Sequence, residues 1–226
     1  GFFSSLYCYK LRKLTGQRYN VFIHHPPNFL YLESFKDMKN FANSPKRVIA
    51  NLMGIFFRPF LRMLDKLVVK NADKIFVNSN YTKKRVNLIY GRSSIICYPP
   101  YNISFKIRNA KYTNYIYKKF NIKNNFILAH GRIIPDKKVD FIIKAIQSLD
   151  MNLVISGEIA NEERNKLKKL IQKNNLQNRV SILGRISEMD LISLYNEANV
   201  LVLTAPKEDF GLVPVEAMAC GTPCVA

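Results

Sequence analysis

From residue 125 to the end of the chain, short apolar runs alternate with stretches of helical spacing, and no other feature restricts the fold as tightly. Phe126, Ile127, Leu128 and Ala129 read as a buried strand, and residues 139–149 have helical spacing with Ile142, Ile143 and Ile146 on one face. Leu153, Val154 and Ile155 form the next apolar run, followed by a charged amphipathic helix over 162–173. The pattern continues with a strand at 180–183, a helix at 191–198, a strand at 200–203, a helix at 213–219 and the start of a strand at 223–226. Strands alternating with helices of this length build a parallel sheet covered on both faces, so residues 125–226 are expected to form a Rossmann-like α/β domain.

The first half follows the same grammar less regularly. Val21-Phe22-Ile23 is strand-like and runs into His24-His25-Pro26-Pro27, and residues 46–70 read as a long helix with a bend expected at Pro59. Residues 74–77 form a strand, Asn78-Ser79-Asn80 supply a cap for a helix to about Tyr90, and 94–97 form another strand before Pro99-Pro100. The expected organisation is a partial first domain over 1–107, a connector over 108–124 rich in Asn, Lys and Tyr, and a partial second domain over 125–226.

Composition narrows the class. With 48% apolar and 23% charged residues in 226, the chain can bury a core and is not of the disordered kind. The net charge of +19 suits nucleic acid, anionic lipid or phosphorylated small molecules, and equally a lysine-rich background. A nucleic-acid reading needs a basic helix or an aromatic-basic platform, whereas these lysines scatter over helices and loops; no nucleic-acid partner is expected. Cys8, Cys97, Cys220 and Cys224 fit neither a disulfide scaffold nor a zinc site, and they favour a reducing, cytoplasmic setting. The most apolar stretch, 48–57, is too short to span a bilayer. Phe56, Phe57, Phe60 and Leu64 interleave with Arg47, Arg58, Arg62 and Lys66, as in a helix lying on an anionic membrane surface or in a core helix with a basic outer face.

Open parallel sheets bind ligands beyond the carboxyl ends of their strands. After the strand at 126–129 come Gly131 and Arg132, with Lys137 and Lys138 close behind, a planar fork and point charges suited to a diphosphate. After the strand at 200–203 come Glu208, Phe210, Gly211 and Leu212, then a helix carrying Pro214 in its first turn and Glu216. The free amides at that helix start attract anions. If all of 208–216 were helical, Glu208 and Glu216 would lie roughly 12 Å apart, which suits the two ends of an extended ligand better than a close catalytic pair.

These residues resemble a known family. Gly131-Arg132 followed by Pro135-Asp136-Lys137-Lys138-Val139-Asp140 is similar to a signature of family 4 glycosyltransferases, which have the GT-B fold, and Glu208 through Glu216 matches their paired-glutamate motif. Gly184-Arg185-Ile186 with the helix at 191–198, and Phe22 to Pro27 in the first half, are similar as well. The resemblance implies two Rossmann-like domains with parallel sheets facing a cleft. Both are incomplete here, since nothing before Val21 supplies the first strand and glycine-rich loop, and the chain stops at Ala226 inside an expected strand; the resemblance reads it as truncated at both ends. It also implies a retaining hexosyltransferase using a nucleotide-sugar donor as substrate. Arg132 and Lys137 would hold the diphosphate, Glu208 and the first-domain His24 would meet the sugar, and Glu216 the ribose hydroxyls. The backbone at Phe210, Gly211 and Leu212 would approach sugar and phosphate, and that at Arg185 and Ile186 the base. No Asp-x-Asp motif occurs, so no metal and no cofactor are expected. The histidine motif points toward mannose and a glycan or lipid-linked acceptor in cell-envelope synthesis, with the enzyme peripheral on the inner membrane face. The alternative is a nucleotide-sugar-binding protein without turnover. Lys138 departs from the family pattern, which has glycine or a small residue there; a stiffer loop is expected.

Overall fold

A computed structural model describes residues 2–31, 45–106, 113–206 and 208–226. They divide into two compact units, Gly1–Pro99 and Pro100–Ala226.

The first unit comprises α1 (Phe2–Thr15), β1 (Asn20–Ile23), α2 (Asn28–Tyr31), α3 (Pro45–Lys70), β2 (Lys74–Val77), α4 (Asn80–Tyr90) and β3 (Ile95–Ile96). Among the described residues its three parallel strands lie in the order β1-β2-β3, with Ile23 opposite Val77 and Phe76 opposite Ile95. In β1 the exposure alternates, so Val21 and Ile23 enter the core with Ile75, Val77, Val69 and Val86. The cap expected at Asn78–Asn80 is Ser79, whose hydroxyl accepts from the Thr82 amide at 3.0 Å, and Gly91 closes the helix in the left-handed region. α3 continues through Pro59 as one helix. Buried Asp65 of α3 accepts hydrogen bonds from the Tyr31 and Tyr90 hydroxyls, 2.7 Å each, which ties α2 and α4 to it. Burial raises the Asp65 carboxyl pKa, and the two tyrosine hydroxyls pull it back. α1 has no counterpart in the sequence reading; its Arg12 holds Asp73 at 2.8 Å and the Asn71 carbonyl at 2.6 Å.

The second unit comprises α5 (Thr113–Phe120), β4 (Phe126–His130), a 3₁₀ turn at Pro135–Lys137, α6 (Val139–Ala145) with a 3₁₀ continuation, and β5 (Asn152–Ser156). Then follow α7 (Asn161–Lys173), β6 (Val180–Gly184), α8 (Glu188–Glu197), β7 (Val200–Val202), α9 (Leu212–Ala219) and β8 (Cys224–Val225). All five strands are parallel, in the order β6-β5-β4-β7-β8. The period of two in a strand divides the core between the two faces. Ile127, Ala129, Leu153 and Ile155 pack with Ile142, Ile143 and Leu167 of α6 and α7, while Phe126, Leu128 and Val154 pack with Leu194, Tyr195 and Ala217 of α8 and α9.

The connector expected over 108–124 requires correction. Residues 108–112 lie outside the described ones, and 113–120 is helical, with Ile116 fully buried beside Phe105 in the core of the second unit. Tyr117 donates to Glu197 at 3.0 Å, and the Lys119 ammonium sits 2.8 Å from buried Asp190. The unit boundary falls at Pro99/Pro100. A short amphipathic helix in which Ile116 is the only fully buried anchor among the described side chains reads as a polar linker in the sequence. No helix among the described residues is long and apolar enough to cross a membrane.

Ile116→Ala is expected to destabilise the protein by about 2–5 kcal/mol in urea unfolding, the range for an aliphatic side chain removed from a packed core. A change under about 0.5 kcal/mol, as at a surface position, would return 113–120 to the status of a linker.

Candidate functional site

The order β6-β5-β4-β7-β8 reverses at β4: the chain leaves β4 toward β5 and, at β7, returns on its other side. The loops after β4 and β7 therefore diverge and leave a crevice at the carboxyl edge of the sheet. A depression lies there, lined by His130, Arg132, Lys137, Val139, Leu203 and Thr204 among others.

The backbone after β4 is shaped by a close approach. Gly131 donates to the Ser156 carbonyl at 3.2 Å and Ile133 to that of Glu158 at 2.8 Å, extending the β4–β5 pairing beyond the strands. Gly131 has φ +133 and Gly157 has φ +119, and a Cβ on Gly157 would lie 1.9 Å from the Gly131 carbonyl oxygen. A side chain at Gly157 would push the Gly131-Arg132 turn out of place. After the turn, Lys138 adopts φ +52, a left-handed conformation that costs a non-glycine residue about 1–2 kcal/mol. This is the physical reason a glycine suits the position.

The loop after β7 docks on this turn. The Thr204 hydroxyl donates to the Lys137 carbonyl at 2.6 Å and lies 3.0 Å from that of Lys138, and the Lys137 ammonium pairs with the Glu208 carboxylate. Arg132 and Lys137 thus border one crevice, with Glu208 bound to Lys137. Gly211, at φ +82, caps the start of α9, and a Cβ there would meet Glu208 Cγ at 3.5 Å and the Pro214 ring at 3.4 Å. Phe210 beside it is half-buried and Leu212 exposed.

Glu216 lies within α9, where the Tyr195 hydroxyl of α8 donates to its Oε2 at 3.2 Å. Burial raises the Glu216 carboxyl, the Tyr195 hydrogen bond opposes this, and the neighbouring Glu188 charge adds to the rise. Glu208 and Glu216 accordingly take different partners on different elements. Arg185 and Ile186 leave the same sheet edge after β6, two strands from β4; Arg185 is exposed, Ile186 packs on the core, and neither lines the depression. His24 belongs to the first unit, exposed at the end of β1 with its ring 4.7 Å from that of Phe22.

The sequence reading assigned no role to His130, Tyr195 or Thr204. His130 ends β4 with Nδ1 2.8 Å from Ser156 Oγ and its ring edge-on to Tyr195 at 5.9 Å. Burial lowers its pKa to about 4, with the Ser156 hydrogen bond opposing, so it is neutral at pH 7. A polar residue closing an otherwise apolar strand run was the available signal.

Residues 116–226 match the family model described as glycosyl transferases group 1. The chain is 30% identical over 165 residues to an uncharacterized glycosyltransferase of Methanocaldococcus jannaschii, covering 73% of this chain and 43% of that protein. It is 31% identical over 121 residues to mannosylfructose-phosphate synthase of Agrobacterium fabrum, covering 49% of this chain and 27% of that protein. The chain therefore spans less than half the length of these relatives. Among solved structures, Anabaena HepE in complex with UDP aligns over 100% of this chain and 57% of its own, with TM-score 0.78 and 18% identity. Sucrose-phosphate synthase from Thermosynechococcus elongatus aligns over 99% of this chain and 53% of its own, with TM-score 0.73 and 23% identity. These likenesses show the fold: Rossmann-like α/β units of the GT-B type.

The buried His130 makes stability depend on pH. Unfolded, the imidazole takes a proton as pH falls through its ordinary value of 6.5; folded, it resists until about 4. Its contribution is therefore full above pH ~6.5 and lost progressively down to pH ~4, roughly 2 kcal/mol of it between pH ~7 and ~5. His130→Asn is expected to remove that part of the acid sensitivity, read from urea midpoints at the two pH values. Identical pH dependence in the two proteins would show that His130 is not held neutral by burial.

Proposed function

We propose, from the match of residues 116–226 to the group 1 glycosyltransferase family model, that the protein transfers a hexosyl group from a nucleoside-diphosphate sugar to an acceptor hydroxyl, with retention at the anomeric carbon. The observation that carries this reading is the meeting of Arg132, Lys137 and Glu208 at the crevice where the strand order reverses. Breaking the bond from the anomeric carbon to the phosphate leaves negative charge on the departing diphosphate. Arg132 stabilises it through a planar fork and Lys137 through a mobile point charge. The Lys137–Glu208 pair is about one-third exposed on each side, and such a pair is worth roughly 1 kcal/mol or less. A diphosphate therefore draws the ammonium away at small cost and frees the Glu208 carboxylate for the sugar. Glu216 takes the ribose hydroxyls, the backbone of Phe210, Gly211 and Leu212 meets sugar and phosphate, and the backbone after β6 at Arg185-Ile186 meets the base. This chemistry uses no metal ion. The UDP complex of HepE supports a nucleoside diphosphate as the ligand class. The relative named for mannosylfructose phosphate supports mannose as the hexose.

Calorimetric titration with UDP, GDP and their hexose conjugates tests the reading. Wild type is expected to bind one nucleotide series with and without EDTA, and Arg132→Ala/Lys137→Ala to weaken that binding by about 100-fold or more, the scale of two lost charge-assisted hydrogen bonds. Equal binding by the double variant would remove the diphosphate from this crevice. Retention is checked by NMR of the product anomer.

The acceptor is proposed to be a glycan or lipid-linked hydroxyl met on the cytoplasmic face of an anionic membrane. Phe57, Phe60 and Met63 of α3 are 55%, 54% and 57% exposed, with exposed Lys66 beside them. Arg62, also expected at that surface, is turned inward: it donates to the Leu30 carbonyl at 2.5 Å and lies over the Tyr31 ring. The side chains of Arg47 and Phe56 lie outside the described residues. The protein is expected to float with anionic vesicles at low salt, and Phe57→Ser/Phe60→Ser to reduce the bound fraction severalfold. Absence of wild-type binding at low salt would dispose of the membrane surface.

A further inference from the structure

Tyr195 is fully buried, yet it carries a hydroxyl that requires a partner. That partner is Glu216 Oε2 at 3.2 Å. The backbone of Tyr195 is engaged too, its carbonyl accepting from the Thr222 hydroxyl just beyond α9. One residue of α8 therefore grips the neighbouring helix within its length and beyond its end, which fixes how far α9 can slide. The ring sits edge-on to His130, 5.9 Å between centroids, and to Phe105 at the same distance. His130 immediately precedes the Gly131-Arg132 turn, so the Tyr195 ring touches the root of that turn while its hydroxyl holds Glu216.

We propose that Tyr195 is a positioning residue for nucleoside recognition: its hydroxyl holds one oxygen of Glu216, so that the carboxylate is presented in a fixed orientation to the vicinal hydroxyls of a ribose. The inference rests on the reading of Glu216 as the ribose-binding carboxylate and extends it to a residue that does not touch the ligand. Glu216 sits in a half-buried place, where a carboxylate with no hydrogen-bond donor is disfavoured and turns readily to solvent. The Tyr195 hydroxyl satisfies one oxygen, and the second remains for the sugar. A carboxylate held in this way discriminates ligands by the hydroxyls they carry, because a ligand lacking them leaves a half-buried acceptor unpaired.

The test compares a ribonucleoside diphosphate with its 2′,3′-dideoxy analogue, titrated into the full chain and into Tyr195→Phe, which keeps the ring and deletes only the hydroxyl. Wild type is expected to prefer the ribonucleotide by about tenfold or more. Tyr195→Phe is expected to lose that preference while binding the dideoxy form as wild type does. Glu216→Gln is expected to lose the preference as well, and Tyr195→Phe/Glu216→Gln to lose nothing further, as for two residues acting through one contact. Tyr195→Phe that keeps the preference, or weakens both ligands alike, overturns the proposal. Wild type that binds both nucleotides equally overturns the ribose role of Glu216 and the proposal with it, while leaving the diphosphate site standing. Wild type that binds neither overturns the donor-site reading as a whole. If Tyr195→Phe does not fold, Glu216→Asp withdraws the carboxylate from the hydroxyl by one methylene; an unchanged ribose preference there overturns the proposal equally.

Discussion

Placing β4 in the middle of an all-parallel sheet forces the chain to leave it on one side and return on the other. Every parallel step needs a crossover over one face of the sheet, and here the crossovers change direction once, between β6 and β7. The loops after β4 and β7 are thereby neighbours without being able to cover one another. The crevice between them follows from connectivity, before any side chain is considered. What the local sequence supplies is the means to narrow it: Gly131 and Gly157, whose backbones approach too closely for a Cβ, and Thr204, whose hydroxyl fastens the second loop to the carbonyls of the first.

Within this crevice the charges are arranged by exposure. Arg132, Lys137 and Glu208 stand at the solvent edge, where a pair can be exchanged for a ligand at little cost. Behind them the groups are buried or half-buried and hydrogen-bonded: His130 on Ser156, Tyr195 on Glu216. A third cation at the position of His130 would add to the positive charge of Arg132 and Lys137, but burial there disfavours the charged imidazole. The ring therefore serves as a packed neutral wall between the turn and α8.

The alternation of strand and helix in residues 125–226 was legible because each strand is apolar on both faces and each helix on one, so Phe126 to Ala129 or Leu153 to Ile155 admit few other readings. Arg132, Lys137 and Glu208 were legible as a group because strand ends are where ligands bind in such sheets. α5 was not legible: among its described side chains Ile116 alone is fully buried, set among Asn, Lys and Tyr, and its helix is stabilised by packing against α8 rather than by its own composition. Nor were the pairs that join distant residues. Lys137 and Glu208 are 71 positions apart and Tyr195 and Glu216 are 21 apart, and no periodicity connects them. Gly157 is unreadable for the same reason, since the atom that forbids a side chain there belongs to Gly131.

The division between an exposed rim and a buried second layer has a consequence for how such a site selects its ligand. Mobile cations at the rim attract any diphosphate and contribute mainly to affinity and encounter, with a dependence on salt. They cannot distinguish one nucleoside from another. Selection has to come from groups held in a fixed orientation, and under the proposal the half-buried carboxylate of Glu216, bound by the Tyr195 hydroxyl, is such a group. Its orientation depends on the seating of α9 against α8, which is set by Tyr195 and by Thr222 beyond the helix end. With Glu216 proposed for the nucleoside and Arg132 and Lys137 for the diphosphate, recognition of the first would be coupled to helix packing and of the second to the glycine turn at Gly131, and the Tyr195 ring against His130 is the contact that joins the two.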